Sequence, residues 1–129
     1  MKKINTPISV GELFDKITIL EIKRAKIKDE NKLIHVKNEL KLLKSIVSKK
    51  NINKRNILKL INQLKNINIR LWNVEDKLRV FEKNKLFKSE FITLARKVYF
   101  MNDKRANLKN EINIHTKSQI NEVKSYEEY

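Results

Sequence analysis

The sequence contains no cysteine, one glycine (Gly11) and one proline (Pro7) in 129 residues. Without cysteine there can be no disulfide framework, thiol nucleophile or cysteine zinc site. With one glycine and one proline the chain has little material for tight turns, so a doubly wound sheet or a β-sandwich is excluded in practice. It also lacks a long apolar run: nothing approaches 18 apolar residues, and no membrane span is expected. Met1-Lys2-Lys3 resembles the start of a signal peptide, but Pro7, Ser9, Gly11 and Glu12 interrupt before an apolar stretch forms, and a cytoplasmic protein is expected. There is no glycine-rich phosphate loop, no Gly-x-Ser-x-Gly elbow and no clustered histidine pair. No cofactor and no metal are therefore expected.

Positive charge, by contrast, is abundant. Lys plus Arg number 30 against 15 Asp plus Glu, a net charge of +15. Lys, Asn and Ile together make up 57 residues, and all three have codons rich in A and T. Codon composition alone accounts for much of the lysine. The stretch from Lys23 to Lys59 holds 13 basic and 3 acidic residues. It can lie along a phosphate backbone, but it has no aromatic residue for stacking and only two arginines.

Apolar spacing predicts helices throughout. Residues 1–8 read as a leader. Ser9-Val10-Gly11-Glu12 has capping-box spacing, with Ile8 and Leu13 as its hydrophobic staple. Leu13, Phe14, Ile17, Leu20 and Ile27 form a helical stripe; Ile19 and Ile22 fall off it, which predicts two buried sides. Asp29 is the expected cap of a second helix carrying Leu33, Val36, Leu40, Leu43 and Val47. In the third segment Ile57, Leu60, Leu64, Ile67, Leu71, Val74, Leu78 and Phe81 alternate 3-4 without a miss. Trp72 and Ile61 widen this stripe toward a globular bundle. Ser89 is the expected cap of a fourth helix through Phe91, Leu94, Val98, Met101, Arg105, Leu108, Ile112 and His115. Residues 119–129 form a tail that docks or frays. The expected fold is all-α: one domain over 1–129, an antiparallel bundle of three to four helices, two of them long.

Several polar residues sit where such a bundle should be apolar. Thr18 and Glu21 share the side of Phe14 and Ile17. Asn68, Glu75, Asp76 and Arg79 border the third stripe, Asn102 and Asp103 follow Met101, and Arg105 occupies a full heptad position. Burying such an arginine unpaired costs several kcal/mol, so it needs a partner or a wet cleft. One explanation is an ion-pair network in which Arg105 or Arg79 meets Glu21, Glu75 or Asp76. Another is an open polar cleft. Glu12 and Asp15 lie on one helical face, and with Glu75 and Asp76 they offer hard oxygen ligands of the kind that all-α nucleotide pyrophosphatases use for Mg²⁺. Lys16, Arg79, Arg96 and Arg105 could instead clamp an anion as small helical chorismate mutases do, though their first-helix pattern is missing.

Three stretches are distinctive together: Pro7 to Lys23, Leu71 to Arg79, and Leu94 to Tyr99 running into Asn102-Asp103-Lys104-Arg105-Ala106. They resemble a family of small uncharacterised helical proteins of bacteria and their viruses, with no assigned activity. The resemblance transfers no catalytic residue. It implies that the polar residues inside these stretches belong to a shared pattern. The basic second helix lies outside them, which counts against nucleic-acid binding as the shared role. Three functions follow, in order of preference: a non-enzymatic bundle that forms a homodimer or docks a partner protein, a basic nucleic-acid-associated protein, and a small enzyme or ligand-binding protein using Glu12, Asp15, Glu75, Asp76 and Arg105.

Overall fold

The computed structural model describes residues 2–129. Four helices follow one another: α1 (Val10–Lys26), α2 (Glu30–Lys49), α3 (Leu58–Lys83) and α4 (Ser89–Thr116), with a single 3₁₀ turn (Arg55–Ile57) before α3. No strand occurs among the described residues, and no helix there is long and apolar enough to cross a membrane.

The helix starts follow side-chain chemistry at α1 and α2. The Ser9 hydroxyl accepts from the Glu12 amide at 3.0 Å, and Asp29 accepts from the Lys32 amide at 3.1 Å. Only half of the expected capping box forms, because Glu12 turns to Lys109 instead of back to Ser9. The staple residue Ile8 remains exposed. At α4 the expected cap is displaced by one residue: Ser89 is the first helical residue, and Lys88 precedes it with no side-chain cap. The Ser89 carbonyl accepts from the Thr93 hydroxyl at 3.0 Å.

The helix ends show what scarce glycine costs. α2, α3 and α4 each close through a residue in the left-handed region, at Asn51, Lys85 and Lys117, with φ of 52°, 55° and 53°. Amides beyond the ends reach back to orphan carbonyls: Ile52 to Val47, Leu86 to Phe81 and Ser118 to Asn113. Glycine is the usual occupant of that position, and an ordinary L-residue there costs about 1–2 kcal/mol.

α1 is the central helix. α2 packs only on α1, whereas α3 and α4 pack on each other and on α1. The two buried sides expected of α1 are present: Phe14, Ile17 and Leu20 are buried, and so is Ile22. The core joins these to Val36, Leu40 and Val47 of α2, to Ile57, to Leu64, Ile67 and Leu71 of α3, and to Met101, Leu108 and Ile112 of α4.

The lengths do not match. At about 1.5 Å per residue α1 spans roughly 25 Å, while α3 and α4 span roughly 40 Å each. α1 begins beside Asn113 of α4 and ends beside Asn73 of α3, where the Lys26 ammonium meets the Asn73 side chain at 3.5 Å. Beyond that level α3 and α4 continue as a two-helix arm with no third helix beside it. No residue from Trp72 to Phe100 is buried.

Candidate functional site

Where α1 crosses α4 the chain assembles its polar interior. α1 runs antiparallel to α4, so residues three and four apart on each helix meet as rungs: Gly11 with Asn113, Glu12 with Lys109, Asp15 with Arg105. Asp15 is completely buried. Its Oδ1 accepts from Arg105 Nε at 2.9 Å and from Asn68 Nδ2 at 2.9 Å, and its Oδ2 accepts from the second guanidinium arm at 2.5 Å. The fork-on-fork contact is the strong form of a charge-assisted bond. Asn68 also donates to the Thr18 hydroxyl at 3.0 Å, and Thr18 donates to the Asp15 carbonyl at 2.8 Å. Every oxygen of the Asp15 carboxylate thus has a donor.

Lys109 is the second buried charge. Its ammonium lies 2.7 Å from Glu12 and 2.7 Å from Glu122 of the tail. Burial opposes its charge, but hydrogen bonds to Glu12 and Glu122 outweigh that, and its pKa is raised. Glu122 is correspondingly held below the usual carboxylate range, chiefly by its bond to Lys109. Arg105 is held above its already high value, chiefly by its bond to Asp15.

The α1 N-terminus is closed by α4 and by Ser118, two residues beyond it. The Gly11 amide donates to Asn113 Oδ1 at 2.6 Å and the Val10 amide to the Ser118 hydroxyl at 3.2 Å. The first-turn amides that would otherwise attract an anion are therefore already occupied. Gly11 is needed for close approach: a Cβ there would lie 2.3 Å from the Lys109 carbonyl oxygen. A polar cavity of about 230 Å³ lies beside the cluster, between Arg105, Lys109 and Glu12 on one side and Glu122 and Lys124 of the tail on the other.

Of the residues singled out from the sequence, the structure brings Glu12, Asp15, Thr18, Asn68 and Arg105 into this cluster, with Asn102 on its cavity wall. The partner of Arg105 is Asp15, not Glu21, Glu75 or Asp76, because the antiparallel crossing fixes which turn of α1 faces Arg105. Glu21 instead meets Lys65 at 3.5 Å. Glu75 pairs with Arg79 one turn along α3, at 3.5 Å and in solvent. Asp76 and Lys16 are exposed. Asp103 accepts from the Tyr129 hydroxyl. The two acidic pairs do not converge: Glu75 is seven residues beyond Asn68, about 10 Å farther up α3. No group of three carboxylate or histidine ligands suited to a metal ion occurs among the described residues. Three members of the cluster were not singled out from sequence: Lys109, Asn113 and Glu122. Lys109 and Asn113 lie four and eight residues after Arg105, on one face, and that spacing was the available signal. Glu122 carries none, because the tail has no periodic structure.

The second prominent feature is the arm. Its inner seam, Leu78, Phe81, Phe91 and Leu94, is only half-buried. Val80, Leu86, Phe87 and Ile92 are exposed, at 55%, 44%, 49% and 56%. Phe87 and Phe91 meet edge to face at 5.2 Å at the tip.

Fold and site together define a small all-α bundle with a buried ionic cluster and an uncovered two-helix arm. The chain belongs to DUF6165, a family of unknown function, whose family model matches residues 3–129. No curated protein and no solved structure matches it.

Proposed function

We propose that the protein is a non-enzymatic helical bundle that pairs with a second copy of itself through the α3–α4 arm. The observation that carries this reading is the stretch from Trp72 to Phe100, in which the heptad pattern continues yet nothing is buried. Two helices alone leave one side of their seam open, whereas two such hairpins close it as a four-helix bundle. Large apolar side chains exposed together on one hairpin, here Val80, Leu86, Phe87 and Ile92, mark an interaction site. Between Val74 and Val98 there are seven basic and four acidic residues, a net +3 in proportion to the chain's +15, so two copies meet across a modest like-charge repulsion that salt screens. Under this reading the Asp15–Arg105 and Lys109 rungs are structural: their donors and acceptors engage one another, and they fix the register of α1 on α4.

Light scattering in about 0.3 M salt, which screens residual repulsion, tests the reading. The expected mass is twice the chain's 15.4 kDa. Phe87→Glu combined with Ile92→Glu should return it to one chain with unchanged helicity. A wild-type monomer at tens of micromolar would refute it.

A second reading rests on α2. Because α2 packs only on α1, its Lys37, Lys41 and Lys44 face solvent. They supply a non-specific phosphate-binding face, whose affinity for duplex DNA must fall steeply with salt. A filter assay in 50 mM salt that retains no DNA would end this reading.

A further inference from the structure

The chain has three tyrosines, and all three line one cavity. It has a volume of about 810 Å³ and lies between α4 and the C-terminal tail. Tyr99 stands on α4, and Tyr126 and Tyr129 arch over from the tail. The Tyr129 ring lies 5.4 Å from Tyr99 and 4.7 Å from Phe100, and its hydroxyl donates to Asp103. Ala95 and Val98 provide a carbon floor.

The charge at this cavity runs against the rest of the molecule. Asp103, Glu127 and Glu128 line it, against a single cation, Lys124. A lining of net −2 on a chain of +15 selects cations. The one cation present already uses an aromatic face: the Lys124 ammonium sits 5.5 Å from the centre of the Tyr126 ring. That is the geometry by which a π-face attracts a positive charge.

We propose that this cavity is a binding site for a small organic cation of the alkylated-ammonium class, with the tyrosines contacting its charged headgroup and the carboxylates balancing its charge. A metal ion does not suit it, because its walls are rings and hydrocarbon and no three ligands converge there. An anion meets three carboxylates. A neutral ligand would desolvate those carboxylates without compensation. A trimethylammonium group, weakly hydrated and apolar at its surface, matches both the rings and the charge, and the volume admits a larger substituent behind it. Lys124 acts as an internal competitor, holding one ring face until the ligand displaces it. Ala95, Val98 and Tyr99 stand at the base of the arm, so the test is run on the Phe87→Glu/Ile92→Glu variant as well, in which choline binding should persist.

The test uses the full chain, with choline as probe and 3,3-dimethyl-1-butanol as its neutral isostere, followed by NMR of the tyrosine ring protons. Choline should bind at least about five-fold more tightly than the alcohol, one ring–cation contact in fold-change terms. Tyr126→Leu and Asp103→Asn should each weaken it by about five-fold. Lys124→Gln should tighten it several-fold, the opposite sign to any general loss of structure. Tyr126 and Lys124 are exposed, so unchanged circular dichroism verifies that their variants fold. Equal binding of choline and the alcohol, no response to about 20 mM choline, or weaker binding in Lys124→Gln would each overturn the proposal. Sedimentation with phosphatidylcholine vesicles without any response to free choline would overturn it too, assigning the surface to a membrane.

Discussion

Replacing Arg105 by methionine should cost far more stability than any solvent-facing charge in this protein. The substitution keeps an unbranched apolar stem and removes both guanidinium bonds to Asp15, at 2.9 and 2.5 Å. Asp15 is then a fully buried carboxylate left with one donor, Asn68. Breaking one side of a buried pair costs about 3–5 kcal/mol. The Arg105 side chain is 29% exposed, so water can reach part of the vacated site, and the lower end, about 3 kcal/mol, is expected. For a chain of this length that is a drop of roughly 10–15 °C in Tm. Asp15→Asn in the same background removes the stranded charge at almost no change of volume. The double variant should therefore recover about 1–2 kcal/mol relative to Arg105→Met alone. Urea unfolding followed by circular dichroism measures all four corners of the cycle. If Arg105→Met costs less than about 1 kcal/mol, or if the two substitutions simply add, Asp15 is not held as a buried anion and the structural role argued for the cluster fails.

Gly11→Ala should destabilise the protein by about 2 kcal/mol although alanine is the better helix former, because its Cβ meets the Lys109 carbonyl and Asn113 Oδ1; an unchanged or raised Tm would show that α1 and α4 can part without cost. Tail docking should depend on pH in a defined window. Glu122 has a lowered pKa, so its contribution is fully present above the ordinary carboxylate value of about 4.3 and is lost as pH falls through its depressed value. Lys109 has a raised pKa, so its contribution is present below about 10.4 and is lost as pH rises through its elevated value. An NMR titration of the Glu122 carboxyl should show a midpoint below about 4.3 that returns to the ordinary value in Lys109→Met; an unshifted midpoint in the wild type would mean that the tail does not rest on Lys109.

The helices were legible because their apolar spacing is regular and because Ser9 and Asp29 cap through local chemistry. α3 was the clearest from its unbroken 3-4 pattern, yet that pattern did not say where the seam would be covered. Leu64, Ile67 and Leu71 are buried, while Leu78 and Phe81, at equivalent heptad positions, are only half-buried. The difference comes from the length of α1, a tertiary fact that the periodicity of α3 does not contain. For the polar cluster, the residues themselves stood out but their pairing did not. Thr18, Asn68 and Arg105 interrupt apolar stripes, which flags them individually. Which acid meets Arg105 depends on the direction and offset of α1 against α4, and both Asp15 and Glu21 lie on α1 within reach of a different register. The tyrosine cavity was not legible because the three-residue spacing of Ile120, Val123 and Tyr126 forms no helix, and where Tyr126 and Tyr129 fall depends on how the tail folds back along α4.

The placement of acids explains how so basic a chain folds around one helix. α1 contributes Glu12, Asp15 and Glu21, and each meets a cation from a neighbour: Lys109, Arg105 and Lys65. The central helix therefore presents negative charge to α3 and α4, which offsets part of the self-repulsion of a +15 chain where the helices are closest. The arm lies beyond the reach of α1 and loses that support along with its apolar cover. It compensates locally, with the Lys77–Glu90 pair bridging α3 and α4 at 2.8 Å and Glu75–Arg79 along α3. Both pairs are exposed and worth little individually. Electrostatics thus hold the arm together only weakly, and its apolar seam is satisfied on one side alone. On the proposed pairing, the arm of a second copy covers that open side with apolar side chains, and the gain must exceed the repulsion between two arms of +3.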